Sequence, residues 1–290
     1  MTEENNEYRG WLAPEAPSTP TDEPPPPTPD PQIPVWAPFL ALAAALFIVL
    51  LIGGTAIALL AAADPDFDSD DLPVGVTLVL TAFQNVVFVF AAYITIKLAL
   101  GRATRADFGL NPVRKLGEAV SWALLVYVGF WLITALLAGI FGTPDEQALV
   151  QDVKAEDSLV VLAAYAVTIC LIAPVVEELF FRGFMFGALA KRLGPWWGMG
   201  ITGVVFAVGH APAPAISLVA LGVFGVGLCL LYWRTQSIVP CMALHALNNA
   251  ITFGVTRELD PLPFAAVVVG SVGIVGGVAQ AVSARRTVAA

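Results

Sequence analysis

The sequence predicts an all-α protein, a polytopic membrane helix bundle of about eight transmembrane helices. Three observations carry that expectation. Of 290 residues, 58% are hydrophobic and only 13% charged, too apolar for an ordinary soluble domain. Apolar stretches of about 20 residues, long enough to cross ~30 Å of hydrocarbon, recur along the chain. Most of the charges are gathered in the connections between those stretches.

In chain order the expected spans are 35–62, 74–100, 119–141, 158–190, 196–211, 213–233, 238–255 and 263–282. The first ends before a run of aspartates, Asp64, Asp66, Asp68, Asp70 and Asp71. The second closes near Lys97 and leads into a basic loop, 101–118, whose Arg and Lys set topology and can meet anionic headgroups. The third precedes an acidic connection with Asp145, Glu146, Asp152, Glu156 and Asp157. The first three spans hold few polar side chains beyond Gln84, Asn85 and Lys97, and read as scaffold. The fourth contains Pro174, Glu177, Glu178 and Arg182, and the fifth His210. The sixth has Gly222, Gly225 and Gly227, small enough to let helices approach closely. The seventh carries His245, Asn248 and Asn249, and the eighth is apolar.

The loop charges also predict orientation, because Lys and Arg concentrate on the cytoplasmic side of membrane proteins. Of the fourteen Lys and Arg, Arg182 is within a span and Lys154 and Arg257 fall on one side; the other eleven, from Arg9 to Arg286, fall on the opposite side. A multi-pass plasma-membrane protein with both termini cytoplasmic is expected. Residues 1–34 hold ten of the 22 prolines and no apolar core, so they read as a disordered Pro-rich cytoplasmic tail with no signal peptide. Residues 35–157 then form N-terminal scaffold helices and 158–290 the helices that carry chemistry. Cys170, Cys229 and Cys241 all fall within spans and read as packing residues. The expected partners are the lipid bilayer and a membrane-associated peptide or protein, with no nucleic acid.

The candidate site rests on charges in the wrong solvent. An ionised side chain at a membrane helix centre costs roughly 2.5–3.5 kcal/mol on insertion scales, so Glu177, Glu178 and Arg182 must face a polar cavity or one another. Glu178 and Arg182 stand at i and i+4, in the order that suits an ion pair. Glu177 lies about 100° around the helix and is left to hold a water. Pro174 lacks a backbone donor and predicts a kink that frees a carbonyl just before the glutamates. The two histidines of the chain, His210 and His245, follow on later spans, and His245 and Asn249 share a helix face, with Asn248 the nearest rival to Asn249. At 1.5 Å per residue Glu177 is ~28 Å from the outer end of its span, His245 ~10 Å from the inner end and His210 ~20 Å. These depths predict one site in the cytoplasmic half, in a cavity opening to the cytoplasm and laterally to lipid.

The ordered set Glu-Glu-x-x-x-Arg, Phe-x-x-x-His and His-x-x-x-Asn resembles the CPBP intramembrane protease family, which includes type II CAAX prenyl endopeptidases and bacterial abortive-infection and bacteriocin-immunity proteins. The likeness covers roughly 158–252. It places Glu177 and Glu178 on the glutamate pair, Arg182 on the arginine, Phe206 and His210 on the middle motif, and His245 and Asn249 on the last. The resemblance implies peptide-bond hydrolysis near the membrane surface. Glu177 and His210 would activate water, and His245 with Asn249 would stabilise the oxyanion, donors worth about 3–4 kcal/mol each when preorganised. If a divalent metal such as zinc is bound, His210, His245 and Glu177 are the ligands on offer. The zinc-helix pattern His-Glu-x-x-His is absent, so a metal-held water and a water held by Glu and His both stay open. Buried Glu, Arg and His also suit a transporter or proton relay, against which stands the lack of an internal repeat. A non-catalytic membrane scaffold is the third reading.

Overall fold

The structure, a computed structural model, describes residues 32–285 except 65, 69–71, 143–147 and 212, and the side chains of 148 and 149 are also left aside. The tail expected over 1–34 lies outside the described residues except for its last three. The long elements are α1 (Ala37–Ala63), α2 (Val74–Leu100), α3 (Leu116–Phe141), α5 (Leu159–Leu193), α6 (Pro195–Val208), α7 (Ala215–Thr235), α8 (Val239–Thr256) and α9 (Pro261–Ala284), with a short α4 (Ala148–Ala155) before α5. Every expected span has its helix, and six are long and apolar enough to cross a membrane. α4 has no counterpart among the expected spans.

Two helices depart from a plain span. α6 has 14 residues, about 21 Å at 1.5 Å per residue, and ends short of a ~30 Å core. His210 was expected inside that helix; it sits instead on the turn beyond Val208, where Gly209 caps the helix. α8 carries His245, Asn248 and Asn249 and is the central helix, meeting α3, α4, α5, α7 and α9. Lipid replaces water around the outside, so large apolar side chains such as Leu50, Leu98, Leu132 and Leu262 point outward without penalty.

Close helix contacts come from glycine. A Cβ on Gly225 of α7 would press on Gly203 of α6, and one on Gly227 would meet Val126 of α3, so small residues let backbones approach where lipid supplies no hydrophobic drive. Cys170, Cys229 and Cys241 are buried and free, as packing residues should be.

Short connections make successive long helices antiparallel, which sorts the helix ends into two groups. One end of the bundle gathers Lys97, Arg102, Arg105, Arg114, Lys115, Lys191, Arg192, Arg234 and Arg285. The other gathers Asp64, Asp66, Asp68, Asp152, Glu156, Asp157, Glu258 and Asp260, with Lys154 and Arg257 as its cations.

The 101–115 connection keeps Arg102, Arg114 and Lys115 exposed, as a basic loop should; between them it turns inward through a 3₁₀ turn, Ala106–Phe108, and buries Phe108 among Phe180, Phe184 and Phe88. Its backbone is then tied along the bundle. Gly109 O accepts from Ile238 N at 3.0 Å, Asn111 donates to Gln236 O at 2.9 Å, and Val113 N donates to Gln280 at 3.0 Å. Arg105 donates to Val282 O at 2.6 Å. Gly109 needs its left-handed φ of 68° to make this turn over Tyr232. Gly183 lies directly against the Phe108 backbone with no room for a methyl group. Gly183→Ala should therefore destabilise by about 1–3 kcal/mol through overpacking, while Gly139→Ala, which meets nothing, should not. Thermal unfolding of the two variants in detergent checks this.

Candidate active site

α5 is not a uniform helix. α-Helical Leu159–Val167 gives way to π-turns at Thr168–Ile172, returns to α over Ala173–Glu177, and becomes π-helical again over Glu178–Phe186. Pro174 explains the first irregularity. Ala173 N–H reaches back five residues to Thr168 O, and the next bond of that series would run from residue 174 to Ile169 O. Proline has no N–H to give. The freed Ile169 carbonyl, anticipated from the sequence, is satisfied by the side chain of Asn249, whose Nδ2 donates to it at 2.9 Å. Interruptions of this kind recur at functional sites because they re-aim side chains.

One turn further on, Glu178 and Arg182 form the expected i, i+4 pair, Nη1 to Oε1 at 2.7 Å, both fully buried. The same Oε1 accepts from His245 Nδ1 at 2.8 Å. Because a carboxylate only accepts, Nδ1 carries the proton and His245 turns Nε2 toward Glu177 Oε2, 3.8 Å away. Arg182 also donates to Gly225 O at 3.3 Å and stacks its guanidinium 4.4 Å from the Phe206 ring centre. Glu178 is thus the buried hub, and Glu177, with 22% of its side chain exposed, is the carboxylate that faces open space.

That space is a cavity of about 660 Å³. Glu177, His210, His245, Asn248 and Asn249 all line it, so the structure brings five predicted residues to one chamber, with Glu178 and Arg182 behind its wall. His210 enters from the turn after α6. Its Nδ1 donates to Phe206 O at 2.8 Å, which leaves Nε2 as the free ring nitrogen. Non-helical backbone at membrane depth is tolerated where it lines a cavity, and the His210 turn does so. Asn249 does not address the cavity alone with His245. One N–H is held by α5, and its Oδ1 faces Asn248 Nδ2 at 3.4 Å.

Sequence reasoning missed three contributors. Phe206 was read as a motif residue, yet its fully buried ring separates the two histidines, 4.7 Å from His210 and 6.0 Å from His245 between ring centres. Phe224 meets His245 edge-on at 5.7 Å. α2, read as scaffold, lines the cavity with Thr77, Thr81, Gln84 and Asn85. Asn85 is 8% exposed, and its Nδ2 has no protein partner. The signal was the polar pair Gln84–Asn85 in an otherwise apolar span.

The cavity is lined by Thr77 in the first turn of α2, Val150 and Val153 of α4 and Thr256 at the close of α8, toward the acidic end, and by Leu42 and Leu46 in the first half of α1, toward the basic end. α6 is short and places His210 beyond its end. Among the described residues no three His, Cys, Asp or Glu side chains come together as a metal site.

Two expected outcomes follow from this geometry. Arg182→Met leaves Glu178 as an uncompensated buried charge and should cost about 3–5 kcal/mol, with much of the loss recovered in Glu178→Gln/Arg182→Met; thermal unfolding in detergent reads both. Asn249→Leu orphans the Ile169 carbonyl and should cost about 1–3 kcal/mol. The loss should shrink in a Pro174→Ala background, where residue 174 regains its N–H, and a double-mutant cycle measures the difference.

Comparison with known proteins agrees with the motifs. Residues 159–251 match the family described as type II CAAX prenyl endopeptidase Rce1-like. A Bacillus subtilis (strain 168) protein named "Putative membrane peptidase YdiL" is 26% identical over 190 residues, covering 61% of this chain and 72% of its own. No solved structure matches. The segment that matches this family, helices α5 to α8, is the one that carries the glutamate pair, the arginine, the two histidines and the asparagine.

Proposed function

We propose that the protein is an intramembrane endopeptidase that hydrolyses peptide bonds of membrane-associated peptides or proteins with water activated by Glu177 and His210. The observation that carries this reading is the division of labour within the glutamate pair. Glu178 is fully buried and bound by Arg182 and His245, whereas Glu177 is half-buried, lines the cavity and has His245 Nε2 only at 3.8 Å from its Oε2. A carboxylate so placed is suited to general-base work, which contributes typically 10²–10⁴-fold.

The chemistry needs few moves. A peptide carbonyl enters the cavity between Glu177 and the histidines. Glu177 takes a proton from water as the oxygen attacks the carbonyl carbon, and His210 Nε2 orients that water. The oxyanion is met by N–H donors at the cavity wall: the second amide hydrogen of Asn249, the unpartnered amide of Asn85 and, when the ring carries a second proton, Nε2–H of His245, whose Nδ1–H stays on Glu178. Such donors act strongly in a water-poor site because they need no reorganisation. Glu177 then returns its proton to the leaving amine. Arg182 does not touch substrate; it holds Glu178, and Glu178 holds the tautomer and direction of His245.

The bilayer is the protein's solvent, and the eleven-to-two division of loop cations supports a plasma-membrane chain with cytoplasmic termini. Cleavage of fluorogenic membrane-peptide substrates by the purified protein tests the chemistry. Glu177→Gln should lower the rate by about 10²–10⁴-fold while thermal unfolding stays close to wild type. Unchanged cleavage in that variant would remove Glu177 from the mechanism.

A further inference from the structure

We infer that a cleft at the basic end of the bundle, between the start of α3 and the close of α7, binds the phosphate of an anionic phospholipid. The cleft shares no residue with the catalytic cavity, so lipid binding and peptide hydrolysis succeed or fail independently.

The cleft encloses about 490 Å³, and every residue that lines it is described. One wall is the end of the 101–115 connection and the first turn of α3, with Arg114, Lys115 and Glu118; the other is the close of α7, with Arg234 and Thr235. Asn111 joins the two walls by donating to Gln236 O at 2.9 Å. Val113 N donates to Gln280 of α9 at 3.0 Å and fixes the connection from behind. The walls are therefore tied to each other by the fold itself.

Charge in the cleft is unbalanced. Three cations meet one carboxylate, and that carboxylate, Glu118, is paired with Lys115 at 3.4 Å. Among the described residues the guanidinium groups of Arg114 and Arg234 have no carboxylate and no hydrogen-bond acceptor. Arg234 is nevertheless held in place. Its guanidinium carbon lies 4.5 Å from the ring centre of Trp122 and 4.8 Å from that of Trp233, and Trp196 packs on Trp233 at 5.7 Å. Contacts with ring faces position the planar cation without using its N–H donors. Such a fork matches two oxygens of a phosphate.

The tryptophans also say which phosphate. Trp122, Trp196, Trp197 and Trp233 all stand near the basic ends of their helices, and tryptophan concentrates at the membrane–water interface. The cleft is thus at headgroup depth. From the same end of α3 the exposed side chains Leu116, Val120 and Leu124 follow one another at intervals of four residues, an apolar track for acyl chains. A phospholipid with no cation of its own in the headgroup suits two unneutralised arginines. Phosphatidylcholine has the same phosphate but tethers an ammonium group that Arg114 and Arg234 repel.

The purified full chain in a neutral detergent tests this by thermal unfolding and by native mass spectrometry, with phosphatidylglycerol, phosphatidylcholine or inorganic phosphate added. Phosphatidylglycerol should raise the unfolding temperature and remain bound in the gas phase, since a ligand of the folded state stabilises it; phosphatidylcholine and inorganic phosphate should do neither. Arg114→Gln and Arg234→Gln should each weaken the response to phosphatidylglycerol by about tenfold in concentration, the loss of a charge-assisted hydrogen bond. Arg114 is exposed and without a protein partner, so its variant should unfold as wild type does when no lipid is added. Arg102→Gln, which removes an exposed basic-end cation outside the cleft, should respond as wild type. An unchanged response in both cleft variants overturns the inference, as does an equal loss in Arg102→Gln, which would mean diffuse attraction. Equal stabilisation by inorganic phosphate would assign the cleft to a soluble anion and overturn the lipid.

Discussion

A single buried oxygen organises the site. Glu178 Oε1 accepts from Arg182 on its own helix and from His245 on α8, and through it the charge of the arginine, the direction of the imidazole and the spacing of α5 and α8 are fixed together. A buried ion pair seldom adds net stability over apolar packing, because both partners lose hydration. Here the pair holds geometry. The guanidinium fills its remaining surroundings with the Gly225 carbonyl and the Phe206 ring, so the positive charge is solvated by a carbonyl dipole and a π face.

The second constraint is the bilayer's demand that backbone groups find partners inside the protein. Pro174 breaks the ladder of α5, and the orphaned Ile169 carbonyl is answered by Asn249. α6 stops short, and the backbone after it is accommodated by turning along the cavity, where His210 anchors its own ring on the Phe206 carbonyl. Each irregularity serves the site. A straight α5 would point the glutamates elsewhere, and a full-length α6 would occupy the chamber.

The two ends of the bundle are built differently. At the basic end aromatic residues of α5 pack against the inward 101–115 connection; toward the acidic end α4 and the start of α2 supply part of the cavity wall. Asn85 belongs to this asymmetry. A buried amide without a protein partner is costly in an apolar interior, and it lies on the wall of the chamber in which a peptide would be bound.

Much was legible in the sequence because the bilayer reduces the reading to length and charge. Uncharged runs long enough to span became helices in order, and Glu178–Arg182 followed from helical periodicity alone. Pro174 announced a free carbonyl for the same local reason. The tertiary structure decided what depends on distant partners: that Asn249 answers that carbonyl, that Glu178 rather than Glu177 binds His245, that Phe206 stands between the histidines, and that α2 supplies part of the wall. Counting residues along a span gives depth only for a regular helix that crosses fully, and α5 and α6, where the site is built, are the helices that break that rule.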